Sequence, residues 1–240
     1  MSKKQLLFYA FLNLLIGVFF FSKIRIFLYR YLLGYRISWR TKLGIFPILI
    51  GRKITIQKNV ALGSFVQIID CKTCFIHENA KIFRFAKIGG LELFSLGKNS
   101  IIGVKTTIFS RFRDRAVNGI INGGRFVCGN DCVITKQHTF DVLGNILIKG
   151  NVVIGGQDTS MYTHSYDCFR NISYGDIVIR KNVYIGAKST ILAGCTVGDN
   201  VVIAANSLVC KSIKASGVYG GVPVRLLSDN PRRKNFLIRK

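Results

Sequence analysis

An aliphatic residue recurs at every sixth position over the C-terminal part of the chain, and this repeat constrains the fold more than any other feature. The period matches neither a helix, whose side chains repeat every 3.6 residues, nor a strand, whose side chains alternate. It is typical of a hexapeptide β-helix, in which three blocks form one triangular coil and stacked coils bond to one another. The sequence therefore predicts an all-β core lined by Ile179, Ile185, Ile191, Val197, Ile203 and Val209.

Corner residues and earlier blocks follow the same period. Asn182 and Asn200 lie eighteen positions apart, as equivalent corners of successive coils would, and asparagine tolerates the left-handed backbone of such corners. Interruptions near residues 110–125, 136–146 and 157–177 are the expected sites of chemistry, because excursions carry function more often than regular coils do. Further inward positions are predicted at Ile56, Leu62, Ile68, Ile76, Ile82, Ile88, Leu96, Ile102, Ile108, Ile148 and Ile154.

The N-terminal segment has a different pattern. No charge occurs between Gln5 and Phe21, and the next stretch repeats apolar residues at helical spacing between basic ones, which is typical of an interfacial helix. We predict three regions: a hydrophobic and basic helical membrane-association segment over 1–45, a β-helix over 46–228 and a basic tail over 229–240. The alternative for the first segment is a helical cap on the open end of the β-helix.

The charge distribution limits the partners. The net charge is +24, and no acidic residue precedes Asp70. Such a segment suits nucleic acid, an anionic membrane surface or an anionic substrate. The interleaved apolar residues favour a membrane surface, and no nucleic-acid-binding motif accompanies the charge, so we predict no nucleic-acid partner. We expect a peripheral or monotopic protein on the cytoplasmic side of the bacterial inner membrane.

The cysteines predict neither a disulfide framework nor a metal site. Their number is seven, and an odd number argues against complete pairing. Cys71 and Cys74 form a CxxC pair, but no second pair with ligand spacing follows. A zinc carbonic anhydrase on a β-helix would need three converging histidines, and the spacing of His77, His138 and His164 does not fit adjacent coils.

Three segments carry a family resemblance: ILIKGNVVIGGQDTSMYTHSYD, GDIVIRKNVYIGAKSTILAGCTVGDNVVIAANSLVCKSI and YGGVPVRLL. The chain resembles the hexapeptide-repeat acyltransferases, in particular the galactoside/maltose O-acetyltransferases and their polysaccharide O-acetyltransferase relatives. The resemblance covers residues 127–227 by motif and 50–110 by periodicity alone. It implies a left-handed parallel β-helix, acetyl-CoA as the acyl donor, and a homotrimer with the active site between subunits.

The resemblance also implies roles for single residues. The histidine of the family's H-x-x-D motif, its catalytic base, falls on His164, with Asp167 as companion; Asp158 is a second candidate for the orienting carboxylate. We expect an oxyanion donor at the Gly186–Ala187 corner. Tyr184 replaces the family's tryptophan, and Cys210 replaces its common threonine. The implied contacts to acetyl-CoA are Ala187, Ala205, Cys210, Lys211 and Arg225.

The predicted activity is transfer of an acetyl group to a sugar hydroxyl of a cell-surface polysaccharide or its lipid-linked precursor. A histidine suits this task because it titrates near neutral pH and can take the hydroxyl proton and later protonate the leaving thiolate. We expect the acceptor pocket to form from the loops 110–125 and 136–146. The alternatives are N-acylation of an amino sugar and a non-catalytic β-helix that binds membranes.

Overall fold

The computed structural model describes residues 3–19, 21–110 and 123–231. The predicted fold class is confirmed: the chain is an all-β, left-handed parallel β-helix of about nine turns with two N-terminal helices. Each turn passes through three flat faces, which we call A, B and C in chain order. The corners between them are the A/B, B/C and C/A corners.

The strands stack in parallel along each face. Face A contains β1 (Arg36–Ile37), the C-terminal parts of β3 (Ile48–Ile56) and β5 (Gln67–Ile76), β8 (Leu93–Leu96), β11 (Arg125–Cys128), β14 (Ile146–Ile148), β19 (Ile177–Ile179) and β22 (Thr196–Val197). Face B contains β2 (Lys42–Leu43), β4 (Ala61–Leu62), β6 (Lys81–Ile82), β9 (Ile101–Ile102), β12 (Val133–Ile134), β15 (Val152–Ile154), β20 (Val183–Ile185), β23 (Val201–Ile203) and β25 (Gly217–Gly220). Face C contains the N-terminal parts of β3 and β5, β7 (Lys87–Gly89), β10 (Thr107–Phe109), β13 (Thr139–Asp141), β16 (Ser160–Tyr162), β21 (Thr190–Ile191) and β24 (Leu208–Val209).

Two antiparallel elements depart from this pattern. The strands β17 (His164–Tyr166) and β18 (Ile172–Tyr174) form a ribbon that leaves the C/A corner. At the C-terminal end, β26 (Arg225–Ser228) folds back on β25. The interruption expected at 136–146 is smaller than predicted, because β13 and β14 continue the coil and only residues 142–145 lie between them. Most of the interruption at 110–125 lies outside the described residues.

The six-residue repeat fills the core as predicted. Every aliphatic residue at a predicted inward position is at most 2% exposed. Burial of one such side chain contributes about 1.5–3 kcal/mol, and the stacked coils repeat this contribution along the axis. Asparagines at the A/B corner have positive φ, and their amides bond between coils, as from Asn151 to Asn182 (2.8 Å) and from Asn182 to Asn200 (3.0 Å).

One glycine shows how tightly neighbouring coils pack. A Cβ on Gly129 would lie 1.3 Å from the carbonyl oxygen of Lys149 in the next coil. We therefore expect Gly129→Ala to lower the free energy of unfolding by about 3 kcal/mol, since the backbone of the next coil must shift. Urea denaturation followed by circular dichroism measures this change. The control is Gly150→Ala, whose Cβ would lie 3.3 Å from the nearest atom, the carbonyl oxygen of Asn130; an equal loss in both variants would contradict the explanation.

The helices α1 (Lys3–Val18) and α2 (Ser22–Leu33) cap the first coil. Asn13 is buried, donates to the Leu49 carbonyl (3.0 Å) and accepts the Leu49 amide (2.7 Å). The Tyr29 hydroxyl donates to the Pro47 carbonyl at 2.6 Å, and burial raises its pKa. The cap that the sequence left as an alternative is therefore present, and β1 and β2 lie before the predicted boundary at residue 46. None of the helices in the described ranges combines the length and hydrophobicity needed to cross a bilayer.

Candidate active site

His164 lies at the C/A corner, at the point where the chain leaves the β-helix. It is the first residue of β17 and follows the face C strand β16 by one residue. Its side chain is only 10% exposed. A regular coil would turn here directly into face A, so the departure of the chain makes room for an imidazole beside the coil.

Within the described residues, the carboxylate paired with this histidine is Asp141, which the sequence analysis did not select. Asp141 ends β13, one coil earlier at the same corner, and its Oδ1 lies 3.7 Å from Nδ1 of His164. The Asp141 side chain is 12% exposed. The distance is that of an ion pair and exceeds a hydrogen bond. A carboxylate on Nδ1 favours the tautomer whose Nε2 accepts a proton.

Thr163 fixes the position of the histidine relative to Asp141. Its hydroxyl is fully buried, donates to the Asp141 carbonyl (2.9 Å) and accepts the amides of Leu143 (2.8 Å) and Gly144 (2.9 Å). The Thr163 carbonyl accepts the amide of Gly175 at 2.9 Å. One residue therefore ties the strand of His164 to the loop that follows Asp141 and to the return strand of the ribbon.

Asp167, the predicted companion of His164, is engaged elsewhere. Its carboxylate closes the turn of the ribbon by accepting the side-chain amide of Asn171 (2.8 Å) and the backbone amides of Asn171 (2.8 Å) and Phe169 (2.9 Å). The bonds from Asn171 lower the pKa of Asp167 below its ordinary value. Asp167 follows the end of β17 at Tyr166, and three residues of extended chain span about 10 Å. Asp141 is therefore the better candidate for the orienting carboxylate.

Asp158, the second predicted candidate, lies at the B/C corner at the opposite end of β16. Its charge acts on His138, whose pKa burial lowers to about 4 despite the opposing effect of Asp158. The ring of His138 contacts the Thr135 hydroxyl (2.9 Å) and accepts the amide of Thr159 (3.1 Å). His138 is thus a fully buried core residue whose ring is held by hydrogen bonds.

Two tyrosines flank His164 on the ribbon. In the antiparallel register Tyr174 lies directly opposite His164, and Tyr166 follows two residues along the same face. The rings of His164 and Tyr166 meet edge to face with centroids 5.9 Å apart. Tyr166 is 54% exposed and Tyr174 is 51% exposed. The candidate base therefore lies between two aromatic surfaces open to solvent.

The residues expected to contact acetyl-CoA fall into separate groups. Ala187 and Ala205 lie on the B/C corner of successive coils, where the Asn206 amide donates to the Ala187 carbonyl (2.9 Å). Cys210 and Lys211 are exposed and follow β24 at the C/A corner. The strands β16, β21 and β24 of face C connect these two corners, and this pairing puts Cys210 two coils beyond Tyr162.

Two further expectations concern Arg225 and the oxyanion donor. Arg225 is exposed and begins β26, beyond the last coil. The Gly186 amide donates to the Ile203 carbonyl at 2.8 Å, within the stack of coils. The Gly186 amide is therefore engaged within the stack, and the oxyanion donor expected at the Gly186–Ala187 corner stays a prediction for the Ala187 amide.

The sequence of this chain is similar to those of known proteins. The family model of the bacterial transferase hexapeptide (six repeats) matches residues 176–211, the stretch that builds the coils after the ribbon. Residues 176–211 are therefore hexapeptide repeats of the bacterial transferase type. This hexapeptide-repeat protein is 32% identical over 115 residues to the galactoside O-acetyltransferase of Escherichia coli (strain K12), covering 48% of this chain and 56% of that protein. The chain thus spans little more than half the length of that curated relative.

The match to a second relative spans a larger share of that relative's length. WbbJ of Escherichia coli (strain K12), named as a lipopolysaccharide biosynthesis O-acetyl transferase, is 26% identical to the hexapeptide-repeat protein over 188 residues, with 72% of this chain and 92% of WbbJ covered. Among solved structures, a hexapeptide-repeat acetyltransferase of Vibrio cholerae O1 biovar eltor, in complex with acetyl coenzyme A, is 20% identical with a TM-score of 0.47, covering 95% of this chain and 88% of that one.

Proposed function

We propose that this hexapeptide-repeat protein is an acetyl-CoA-dependent O-acetyltransferase that modifies a sugar hydroxyl of a cell-surface polysaccharide or its lipid-linked precursor. The observation that carries the proposal is the pair of His164 and Asp141 at the C/A corner, with Nδ1 and Oδ1 3.7 Å apart. The relatives named as galactoside and lipopolysaccharide O-acetyl transferases support the same reaction class.

In the proposed reaction His164 acts as general base. Nε2 accepts the proton of the sugar hydroxyl while the oxygen attacks the thioester carbonyl of acetyl-CoA. When the carbon–sulfur bond breaks, the imidazolium returns this proton to the thiolate, so the products are the acetyl ester and free CoA. Asp141 holds the ring and stabilises its transient positive charge. No covalent enzyme intermediate is needed, because the thioester is already activated.

We place acetyl-CoA, the acyl donor, along face C between the B/C corner and the C/A corner. Ala187 and Ala205 present small side chains at one edge, where a pantetheine chain could approach the backbone. Cys210 lies at the other edge, towards His164. Lys211 and Arg225 would neutralise the coenzyme phosphates by charge-assisted hydrogen bonds.

The acceptor is assigned to the ribbon. Tyr166 and Tyr174 are half-exposed rings on either side of the proposed base, and binding sites for uncharged ligands combine such aromatic surfaces with a few polar groups. A sugar ring lying on them would bring one hydroxyl to Nε2 of His164. Two loops were predicted to form the acceptor pocket. Loop 110–125 lies largely outside the described residues, and most of 136–146 continues the coil through β13 and β14.

The helical cap supports attachment to a membrane surface. While one side of α1 and α2 packs on the first coil, the other side exposes apolar residues flanked by Lys4 and Lys23. We propose that this side lies in the headgroup region of the cytoplasmic leaflet, whose anionic lipids attract the basic segment. The exposed residues are Leu7, Phe8, Phe11, Leu14, Leu15, Val18, Phe21, Ile24, Phe27, Tyr31 and Leu32.

Assembly as a homotrimer is supported by an apolar row on face B, which consists of Ile101, Val133, Val153, Tyr184 and Val202, in register. We expect Val133→Asp to convert the trimer to monomer and to abolish transfer, since a charge would be buried between subunits. Size-exclusion chromatography with light scattering measures the mass. The control is Lys81→Asp, one coil below Ile101 in the same row. A monomeric wild type, or a Val133→Asp trimer, would contradict this assignment.

The transfer reaction is tested with purified protein, acetyl-CoA and surface glycan prepared from the bacterium that produces this protein. The expected result is release of free CoA that depends on the glycan, together with alkali-labile acetyl esters on the product. Glycan-dependent release with alkali-stable acetyl groups would instead identify N-acylation. Absence of any glycan-dependent release would reject the proposed activity.

A further inference from the structure

Three phenylalanines form an exposed ladder at the B/C corner of the first coils. Phe46, Phe65 and Phe85 occupy the same corner position in successive coils, with ring centroids 6.1 Å and 5.3 Å apart and interplanar angles of 15° and 2°. Their side chains are 39%, 43% and 41% exposed, respectively. The ladder therefore presents a continuous aromatic edge to the surroundings.

The corner does not require phenylalanine. All three residues have positive φ (48°, 59° and 61°), a region that bulky side chains disfavour. In later coils the same corner is occupied by Lys105, Gln137, Asp158, Lys188 and Asn206. A polar residue therefore satisfies the backbone geometry at least as well. A bulky ring at positive φ strains the backbone, and its exposure to water is also unfavourable. Three such rings in a row indicate that the ladder contacts an apolar partner.

The ladder continues the exposed side of α1. The ring of Phe46 packs against Gly17, where a Cβ would lie 2.6 Å from the ring. Leu14 lies one turn before Gly17 and next to Val18 on the helix surface, and these two side chains are 64% and 69% exposed. The apolar side of the cap and the ladder thus form one surface that extends from α1 to the third rung, about 10 Å further along the axis at the spacing of β-strands.

Charge indicates the partner of this surface. Arg84 lies directly before Phe85, and Lys105 occupies the same corner position in the next coil. The first acidic residue of the chain, Asp70, lies at the C/A corner instead. An apolar edge flanked by cations complements an anionic lipid surface, whereas two copies of the edge would bring like charges together.

We propose that the ladder of Phe46, Phe65 and Phe85 inserts into the interface of an anionic bilayer, so that the β-helix rests on the membrane by its B/C corner as well as by its helical cap. This inference rests on the membrane association proposed above. It adds an orientation, because the contact reaches the first coils at one corner only.

Single tryptophans report the contact. In a Trp39→Phe background, which removes the native tryptophan of the chain, tryptophan is introduced as Leu14→Trp, Phe65→Trp, Phe85→Trp or Asn79→Trp. Asn79 is the control because it has the same positive φ but lies at the A/B corner. The full-length variants are mixed with phosphatidylglycerol–phosphatidylcholine vesicles that contain lipids with brominated acyl chains. We expect quenching of tryptophan at 14, 65 and 85 but not at 79.

The outcomes separate the two proposals. Quenching at position 14 without quenching at 65 and 85 would overturn the ladder contact and leave the helical anchor intact. No quenching at any position would reject membrane association itself.

A second variant tests the contribution to binding. Phe65→Asn combined with Phe85→Asn introduces the residue that the corner already carries at Asn206, so the coil is expected to stay intact by circular dichroism. We expect vesicle binding in co-sedimentation to fall about tenfold, since binding strength follows the buried apolar area. Unchanged vesicle binding, or a change in oligomeric state without lipid, would contradict the proposal, the latter in favour of a second copy as the occupant.

Discussion

Substitution of His164 by alanine is expected to lower the rate of acetyl transfer by a factor of about 10²–10⁴, the contribution that a positioned general base makes to such reactions. The loss should appear in kcat with little change in the affinity for acetyl-CoA, because the donor positions proposed here, such as Ala187 and Cys210, do not involve the imidazole. CoA release in the presence of glycan measures the rate. Calorimetric titration with acetyl-CoA measures the affinity.

The matched control for this variant is His77→Ala. His77 lies near the A/B corner, where its ring contacts Phe75 with centroids 4.5 Å apart, and it is remote from the ribbon. We expect this variant to transfer acetyl groups at the wild-type rate. Equal losses in the two variants would indicate a general effect on the fold, and full activity of His164→Ala would remove His164 from the mechanism.

Asp141→Asn is expected to have the second largest effect, a fall in kcat of at most about 10⁴-fold, the loss when the orienting carboxylate of a histidine base becomes an amide, with unchanged KM for acetyl-CoA. The amide is the same size as the carboxylate, so the buried site stays filled, but it no longer stabilises the imidazolium or favours the productive tautomer. Asp141 is a positioning residue in this account, since it acts through His164. Steady-state kinetics separates kcat from KM.

Asp167→Asn provides the contrast between the two carboxylates. Asparagine retains the oxygen that accepts the amides of Phe169 and Asn171, so the turn should persist. We expect activity within about twofold of wild type, because the Asp167 carboxylate lies in the turn of the ribbon and bonds to Phe169 and Asn171 instead of His164. A larger loss in Asp167→Asn than in Asp141→Asn would return Asp167 to the role that the family resemblance implies.

Most of the β-helix follows from the repeat, because its physical basis is local. A narrow triangular core accepts one branched aliphatic residue per side, so residues such as Ile185 and Ile203 are predictable without knowledge of their neighbours. The corners are predictable for the same reason: Asn182 and Asn200 adopt the left-handed backbone that asparagine tolerates.

The sequence analysis missed Asp141 because loops that leave the coil change the number of residues per turn. The structure pairs Asp141 with Tyr162 in the next coil, a separation of 21 residues instead of 18. The signal that the sequence offers is Phe140, which occupies an inward position and identifies the next residue as the end of a face C strand. The H-x-x-D spacing instead pointed to Asp167, which the ribbon carries to its turn.

The N-terminal segment shows a different limit. Its pattern predicts helices with an exposed apolar side, and that side is present. The capping contact was not predictable, since the partner of Asn13 is the backbone of Leu49, 36 residues further along the chain. An isolated polar residue in an apolar run, such as Asn13, is thus compatible with a membrane anchor or with a cap on the β-helix. Here one side of the helices caps the first coil, and the other side exposes apolar residues.

The central claim is that this β-helix presents His164 to a thioester and a sugar hydroxyl. Mass spectrometry of the surface polysaccharide tests it most directly, with cells that lack the protein and are complemented with either the wild type or His164→Ala. The account predicts alkali-labile acetyl esters in the wild-type polysaccharide and none in the polysaccharide from cells with the variant. Identical acetylation in both would contradict it.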